Sequence, residues 1–439
     1  MRQKHATLGL AAMLTVLLAC QPARASENFP LHDGDTWVMA GDSITAQHLH
    51  SNYFEAFCYA RYQAMRFRFR NSGVGGDTIP KVLARYDWDI APWKPTVVSV
   101  ELGMNDKGGY SVEQYIQNMG QLDARIRSSG ARPVYFTASP VNSGSTSTNL
   151  GINDRLDTYA RALKKFAAQH DAPFADQFHA LLDVWGANKP QENRANLIAT
   201  VAAAAREEQL PGVSHLRNFL AEMAGVDPQP VSMQGDAVHP GPNGQLMMAA
   251  ALLSTLNAEP HVSSASLDSA GKVLDSDGCT ITGARAVDGG LAFERLDQRL
   301  PFPIPAGTYG VLPLFPTILQ LSDYTLKVAG LPAGQYELRA NGQKLGHATA
   351  EDLAAGVNLT AFASGPIAAQ GQAILDKVAR KEGFVGQWRG VSHAVALGSS
   401  GPDSKARLAA LAKTIEDADQ QIRNAAQPQR LQFEVRPVK

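Results

Sequence analysis

The sequence is poor in cysteine, with three in 439 residues. This count excludes a small disulfide-stapled domain, and no Cys and His residues have the spacing of a zinc site. Cys20 lies in the N-terminal segment. We expect Cys58, on a predicted helix, and Cys279, in the downstream half, to be two separate unpaired thiols; a disulfide between them is the alternative. No metal or organic cofactor is implied.

An excess of charge of either sign is also missing. Lysine and arginine number 40 and aspartate and glutamate 41, so the formal net charge is -1. A nucleic-acid-binding protein would normally be basic, and this class is therefore excluded. The charge balance does not favour an acidic or a basic substrate.

No apolar run is long enough to cross a membrane. The run at 8–18 is far shorter than the ~20 residues that a spanning helix needs. It follows a positively charged start and precedes Ala-Arg-Ala, which predicts a secretory signal peptide over residues 1–25. We expect a secreted or periplasmic bacterial protein. The alternative is that Leu-Leu-Ala-Cys is a lipobox, with a lipid on Cys20 that anchors the protein to the outer membrane.

Apolar runs alternate with amphipathic segments between residues 35 and 256. The run at 95–102 is rich in β-branched residues and indicates a buried strand, while 54–65 and 156–169 are typical of helices. Strands that alternate with helices predict an α/β fold with a parallel sheet. Because one core stops growing near ~250–300 residues, we predict a separate first domain over residues 26–258.

The pattern changes after Glu259 and Pro260. Short alternating runs are punctuated by Gly and Pro, and Asn341-Gly342 suits a tight hairpin. Farther on, 370–382 and 404–426 are long amphipathic segments. Residues 259–439 are therefore predicted to form a smaller β-rich domain with a helical tail.

A Gly-Asp-Ser motif ending at Ser43 directly follows the predicted buried strand at 37–40. A parallel strand that ends there puts Ser43 at the carboxyl edge of the sheet, where open α/β folds bind ligands. If a helix follows, its first amides favour negative charge, such as that of an ester's tetrahedral intermediate. On its own, the motif is more typical of an ordinary turn.

Two further polar motifs follow predicted strands. The segment 71–78 starts with Asn71 and contains Gly76, and its glycines would let backbone amides point at a ligand. It lacks the Lys-Ser/Thr pair of a P-loop. Asn105, after the strand at 95–102, could donate a hydrogen bond into the same crevice. Each motif alone is also typical of a turn.

Asp236 and His239 are three residues apart near the end of the first domain. They meet if the segment makes one helical or turn-like step. Asp236 would then fix the imidazole tautomer while the other ring nitrogen faces a nucleophile. A lone histidine is more often a surface or packing residue, which is how we interpret His48 and His50.

Together, these four motifs resemble those of the SGNH (GDSL-like) hydrolase family over residues 35–256. The resemblance implies a flavodoxin-like sheet and an ester hydrolase with Ser43 as nucleophile, His239 as general base and Asp236 as the acid that orients it. Ile44 stands where the family name has leucine, which is a conservative change.

The resemblance also implies an oxyanion hole. Its donors would be the backbone amides of Ser43 and Gly76 and the side chain of Asn105. Asp42 and Asn71 are expected to brace the site through hydrogen bonds rather than to react.

The substrate is less constrained, because the family is chemically broad. Export and an appended β-rich domain favour an O-acetylesterase that acts on a glycan through an acyl-enzyme. The alternative is a lipase or lysophospholipase with residues 193–224 as a helical lid. A third interpretation is an inactive scaffold that binds glycan or a partner through Trp388 or Tyr324, although single aromatics of this kind are usually core. The acyl group, the alcohol and the oligomeric state stay open.

Overall fold

The computed structural model describes residues 29–141, 150–187 and 235–438. The predicted signal peptide at 1–25, with Cys20, lies outside these residues. So does the predicted lid at 193–224.

A five-stranded parallel sheet forms the centre of the first half of the chain. Its strands are β1 (Thr36–Gly41), β2 (Arg68–Gly73), β3 (Val97–Glu101), β4 (Arg132–Phe136) and β5 (Phe174–Ala175). Their spatial order is β2-β1-β3-β4-β5, which is the order of flavodoxin-like folds. The predicted fold class is confirmed.

Helices cover both faces of this sheet. They are α1 (Ser43–Ala46), α2 (His50–Arg61), α3 (Ile79–Arg85), α4 (Val112–Ser128), α5 (Leu150–Gln169), α6 (Gln177–Ala187) and α7 (Pro242–Thr255). Alternate residues of β1 belong to different cores: Trp37 and Met39 to one, Val38 and Ala40 to the other. A strand buried on both faces reads as a continuous apolar run, as this one does.

The β-rich second half contains two further sheets. One has the order β13-β10-β6-β7 and the other β12-β11-β14-β9-β8. Their strands are β6 (His261–Asp268), β7 (Val273–Asp277), β8 (Cys279–Val287), β9 (Gly290–Asp297), β10 (Asp323–Ala329), β11 (Gln335–Ala340), β12 (Gln343–Thr349), β13 (Val357–Asn358) and β14 (Leu431–Pro437). Asn341 and Gly342 join β11 to β12 with φ of 48° and 74°, as the predicted tight hairpin requires.

The helical tail differs in length from the prediction. After the short helices α8 (Thr317–Gln320) and α9 (Ala350–Ala355), the helix α10 (Pro366–Ala396) runs for 31 residues and α11 (Ser404–Ala425) packs along it. The predicted helix covers only 370–382, whereas α10 continues through Gly383, Gly386 and Gly390. Each interior glycine costs about 1 kcal/mol of helix propensity. Packing of α10 against α2 and β2 in the first half of the chain overrides that cost.

Cys58 and Cys279 are both buried and unpaired, as predicted. Trp388 and Tyr324 are buried as well, with 7% and 1% of their surface exposed, so neither offers a platform for a sugar ring. Among the described residues, no helix combines the length and the apolar composition that a bilayer crossing needs.

Candidate active site

The carboxyl ends of β2, β1 and β3, which are neighbours in the sheet, lie side by side. Gly41 at the end of β1 pairs with Gly73 of β2 and with Glu101 of β3. The three strand-following motifs of the sequence therefore leave the sheet at the same level. This register is what brings residues far apart in the chain to one crevice.

Ser43 begins α1, one residue after the buried Asp42. The Ile44 amide donates to Asp42 Oδ1 at 2.9 Å, which caps the turn. Two glycines allow the tight geometry: a Cβ on Gly41 would lie 2.0 Å from the Thr45 hydroxyl, and one on Gly73 would lie 2.4 Å from a backbone nitrogen of α1. The helix is a single turn, and it leaves Ser43 half-exposed.

Ser43, His239 and Asp236 form a hydrogen-bonded chain. Ser43 Oγ lies 2.8 Å from His239 Nε2. On the other side of the ring, His239 Nδ1 lies 3.0 Å from Asp236 Oδ2 and 3.1 Å from Oδ1. A carboxylate at Nδ1 favours a proton there, and Nε2 is then free to accept one from the serine.

The Asp-x-x-His segment is a turn rather than a helix. Gly235 and Pro240 pair as an isolated antiparallel bridge around it. Asp236 Oδ1 accepts the backbone amides of Val238 and His239 at 2.8 and 2.7 Å. These backbone bonds and the bond to the imidazole lower the pKa of Asp236 to about 2. Asp236 is therefore ionised across the neutral and mildly acidic range.

The predicted oxyanion donors surround Ser43. A Cβ on Gly75 would lie 4.0 Å from Ser43 Cβ, so the glycine turn is adjacent to the serine. Gly76 has a φ of +73°, which favours glycine. In the described part of the chain, the amides of Ser43 and Gly76 donate to no acceptor.

Asn105 reaches the same place from the end of β3. Its Nδ2 donates to the Asp77 carbonyl at 2.9 Å and lies 3.4 Å from Asp42 Oδ2. The first bond fixes the amide group. The second is long, so one N–H remains available for a stronger acceptor.

Asn71, for which the family resemblance implies a bracing role, makes three buried hydrogen bonds. Its Nδ2 donates to the Thr45 carbonyl at 2.7 Å and to Ser51 Oγ at 2.8 Å, and its Oδ1 accepts the Gly73 amide at 2.8 Å. One buried side chain thus joins the end of β2 to α1 and α2.

Comparison with known proteins identifies a domain in the first half of the chain. The model of the GDSL-like Lipase/Acylhydrolase family matches residues 39–191, which include Ser43, Gly76 and Asn105. The chain carries a GDSL-like hydrolase domain. It is a carboxylic ester hydrolase. No curated protein matches the sequence.

One solved structure shows the same fold over most of the chain, and two others match about half of it with low TM-scores. BT4096, described as a gut microbial diltiazem-metabolizing enzyme, is 20% identical with a TM-score of 0.72, and the match covers 93% of this chain and 99% of that one. Axe2, an acetylxylan esterase from Geobacillus stearothermophilus, is 19% identical with a TM-score of 0.36, over 51% of this chain and 94% of that one. LAE5, an alpha/beta hydrolase enzyme from the metagenome of Lake Arreo, Spain, is 18% identical with a TM-score of 0.36, over 52% of this chain and 96% of that one.

Close to His239 lies a buried network of polar side chains that the sequence did not reveal. His50 Nε2 pairs with Glu101 at 2.9 Å, and its Nδ1 lies 3.0 Å from Gln245 Oε1. Gln245 in turn donates to the Pro240 carbonyl at 2.9 Å, next to His239. Burial alone would lower the pKa of His50, but the charge of Glu101 raises it above its usual value. We had interpreted His50 as a packing residue.

Asp106 links the Asn105 loop to the glycine turn. Its Oδ1 accepts the Ile79 amide at 3.0 Å. Burial raises its pKa to about 6, against the lowering effect of this backbone bond. In the described part of the chain, no group of three or more His, Cys, Asp or Glu side chains is arranged to hold a metal ion.

Proposed function

We propose that this ester hydrolase is an exported serine O-acetylesterase that acts on a carbohydrate. The observation that carries the serine mechanism is the 2.8 Å contact between Ser43 Oγ and His239 Nε2, with Asp236 at the opposite ring nitrogen. A nucleophile, a base within hydrogen-bond reach and a third group that orients the base are the elements of nucleophilic catalysis.

The proposed reaction has two halves. His239 Nε2 takes the proton of Ser43 as Oγ attacks the ester carbon, and Asp236 stabilises the imidazolium that forms. The oxyanion accepts hydrogen bonds from the Ser43 and Gly76 amides and from Asn105 Nδ2. The intermediate collapses, the alcohol leaves with the proton from His239, and an acyl-enzyme remains. Water, activated by the same imidazole, then releases the acid.

The choice of a glycan ester is supported by the organisation of the chain and by exposure. A signal peptide at 1–25 would export the protein, by secretion or to the periplasm, or to the outer membrane if Cys20 is lipidated. The side chains of His239 and Asp236 are 36% and 66% exposed. A triad near the surface suits an ester carried on a large polymer.

The test is acetate release from a panel of acetylated polysaccharides, beside the hydrolysis of nitrophenyl esters of increasing acyl length. Wild type is compared with Ser43→Ala, for which we expect a loss on the order of 10⁶ in kcat. Ser128→Ala is the matched control, because Ser128 is exposed at the end of α4. It should keep full activity.

Each outcome decides a different part of the proposal. Acetate release that depends on Ser43, with rates that fall steeply beyond acetyl, supports the O-acetylesterase. Rates that rise toward long acyl chains support the lipase alternative. Turnover that persists in Ser43→Ala contradicts the proposed nucleophile itself.

A further inference from the structure

Helix α10 of the tail covers the outer edge of β2, which is an edge strand of the parallel sheet. An edge strand leaves alternate backbone groups without a neighbouring strand. Three side chains of α10 form hydrogen bonds with these groups. Lys381 Nζ donates to the Phe69 carbonyl at 2.9 Å, and Arg389 Nη1 donates to the Gly73 carbonyl at 3.1 Å. Glu382 Oε2 accepts the Asn71 amide at 3.2 Å. Side chains of one helix thus replace the missing strand.

Arg389 makes the contact at the active-site end of β2. Gly73 is the last residue of that strand and precedes the glycine turn that carries Gly76. The guanidinium of Arg389 also forms a bidentate pair with Asp89, with Nε 2.5 Å from Oδ1 and Nη2 2.8 Å from Oδ2. Asp89 is fully buried and accepts Ser72 Oγ at 2.7 Å.

A second arginine, Arg85, also forms ion pairs and hydrogen bonds with residues of this turn. Arg85 pairs with the same Asp89, donates to the Ser72 carbonyl at 2.7 Å and pairs with Asp77 at 2.7 Å. Burial would raise the pKa of Asp89, but the bonds and charges of Arg389 and Arg85 keep it below its usual value. Arg85, Asp89 and Arg389, which we call the arginine clamp, therefore hold the segment 72–77 at both of its ends, at Ser72 and Gly73 and at Asp77.

We propose that Arg389 is a positioning residue of the active site, supplied by the C-terminal helix. It fixes the Gly73 carbonyl and Asp89, and through them the direction of the Gly76 amide that the proposed mechanism uses as an oxyanion donor. This inference rests on the proposed function. Oxyanion donors act only within a narrow range of distance, and a displacement of 1 Å costs about 100-fold in rate.

A purely structural role would have a different signature. Loss of fold stability lowers the amount of active enzyme, but not the turnover number of each active site. A displaced oxyanion donor weakens an interaction made only in the transition state, so kcat falls while KM stays nearly constant.

Two substitutions separate these roles. Arg389→Lys keeps the charge, but the donors of an ammonium all sit on one nitrogen and cannot reproduce the planar fork that reaches the Gly73 carbonyl and both oxygens of Asp89. Arg389→Gln also removes the charge. Arg380→Lys is the matched control, because Arg380 lies on the same helix with an exposed side chain stacked on Phe384. Competent sites are counted from the burst of an aryl acetate, and folding is followed by the melting temperature.

Per active site, we expect kcat to fall about 10-fold in Arg389→Lys and about 100-fold in Arg389→Gln, with KM within about twofold of wild type. Arg380→Lys should match wild type. An unchanged kcat in Arg389→Lys, or an equal loss in Arg380→Lys, overturns the inference. Ser43→Ala is measured in parallel. If Ser43→Ala stays active, the proposed site is wrong, and the inference about Arg389 is wrong with it. If Ser43→Ala is inactive but Arg389→Lys is fully active, only the inference about Arg389 is rejected.

Discussion

Asp42 is as buried as an apolar core residue, with 3% of its surface exposed, although it directly precedes Ser43, the proposed nucleophile. Burial raises its pKa to about 7, against the bond from the Ile44 amide. The nearby carboxylates of Glu101 and Asp106 raise it further. A carboxyl group that stays protonated up to about pH 7 can cap α1 without placing a buried negative charge beside Ser43.

This shift makes stability depend on pH. The folded state keeps the Asp42 proton up to about pH 7, whereas the unfolded chain releases it near the usual pKa of 3.8. Between these values the folded state binds more protons, so the free energy of unfolding falls as pH rises. Asn cannot ionise, so we expect the melting temperature of Asp42→Asn to rise relative to wild type from pH 5 to about pH 7 and then to stay constant up to pH 9.

The measurement is thermal unfolding of the variant and wild type across that pH range. Asp403→Asn serves as the control, because Asp403 is exposed and makes no capping bond on α11. Its difference from wild type should not change with pH. A difference for Asp42→Asn that is equally flat would mean that Asp42 is ionised at all these pH values.

At the scale of elements, the Asp-His turn depends on one glycine. Gly235 has a φ of +80°, and a Cβ there would lie 2.1 Å from the His239 carbonyl. Gly235→Ala cannot close the bridge to Pro240, so Asp236 and His239 should lose their alignment with Ser43. We expect kcat to fall by at least about 100-fold with little change in the melting temperature.

Gly130→Ala is the matched control for this substitution. Gly130 also has a positive φ, +84°, but a Cβ there meets nothing within 4 Å. Left-handed backbone strain alone costs about 1–2 kcal/mol, so this variant should be slightly less stable and fully active. Full activity in Gly235→Ala would show that the turn tolerates a side chain and is held by other contacts.

The elements that the sequence predicted well are those set by local pattern. The apolar run of β3 and the Asn341-Gly342 hairpin both appear in the structure. Local signals of this kind depend on residues a few positions apart.

The contacts that the sequence did not predict join residues hundreds of positions apart. Lys381 is fully buried and pairs with Glu55, and Arg70 pairs with Asp419. In the sequence, such charges are indistinguishable from those of a solvated helix face. Their partners become visible only once the tail is folded against the sheet, which is also why Arg389 was missed.

For the molecule as a whole, the two halves of the chain share one hydrophobic core. The rings of Phe57 and Phe302 meet edge to face at 5.2 Å, and Ile374 and Ile422 belong to the same cluster. All of α2 is buried between the sheet, α7 and α10. The predicted boundary at 258/259 therefore separates two kinds of secondary structure within a continuous core.

This continuity predicts that residues 26–258 do not fold alone. Without the second half, side chains such as Phe57 would face water. Exposing five buried apolar side chains would cost about 1.5–3 kcal/mol each, which together equals the whole free energy of unfolding of a typical protein, about 5–15 kcal/mol. We expect the fragment 26–258 to bind a hydrophobic dye and to unfold without a cooperative transition, whereas 26–439 melts cooperatively. A fragment 26–258 that melts cooperatively and hydrolyses aryl acetate at the wild-type kcat would contradict both the shared core and the role of the tail at the active site.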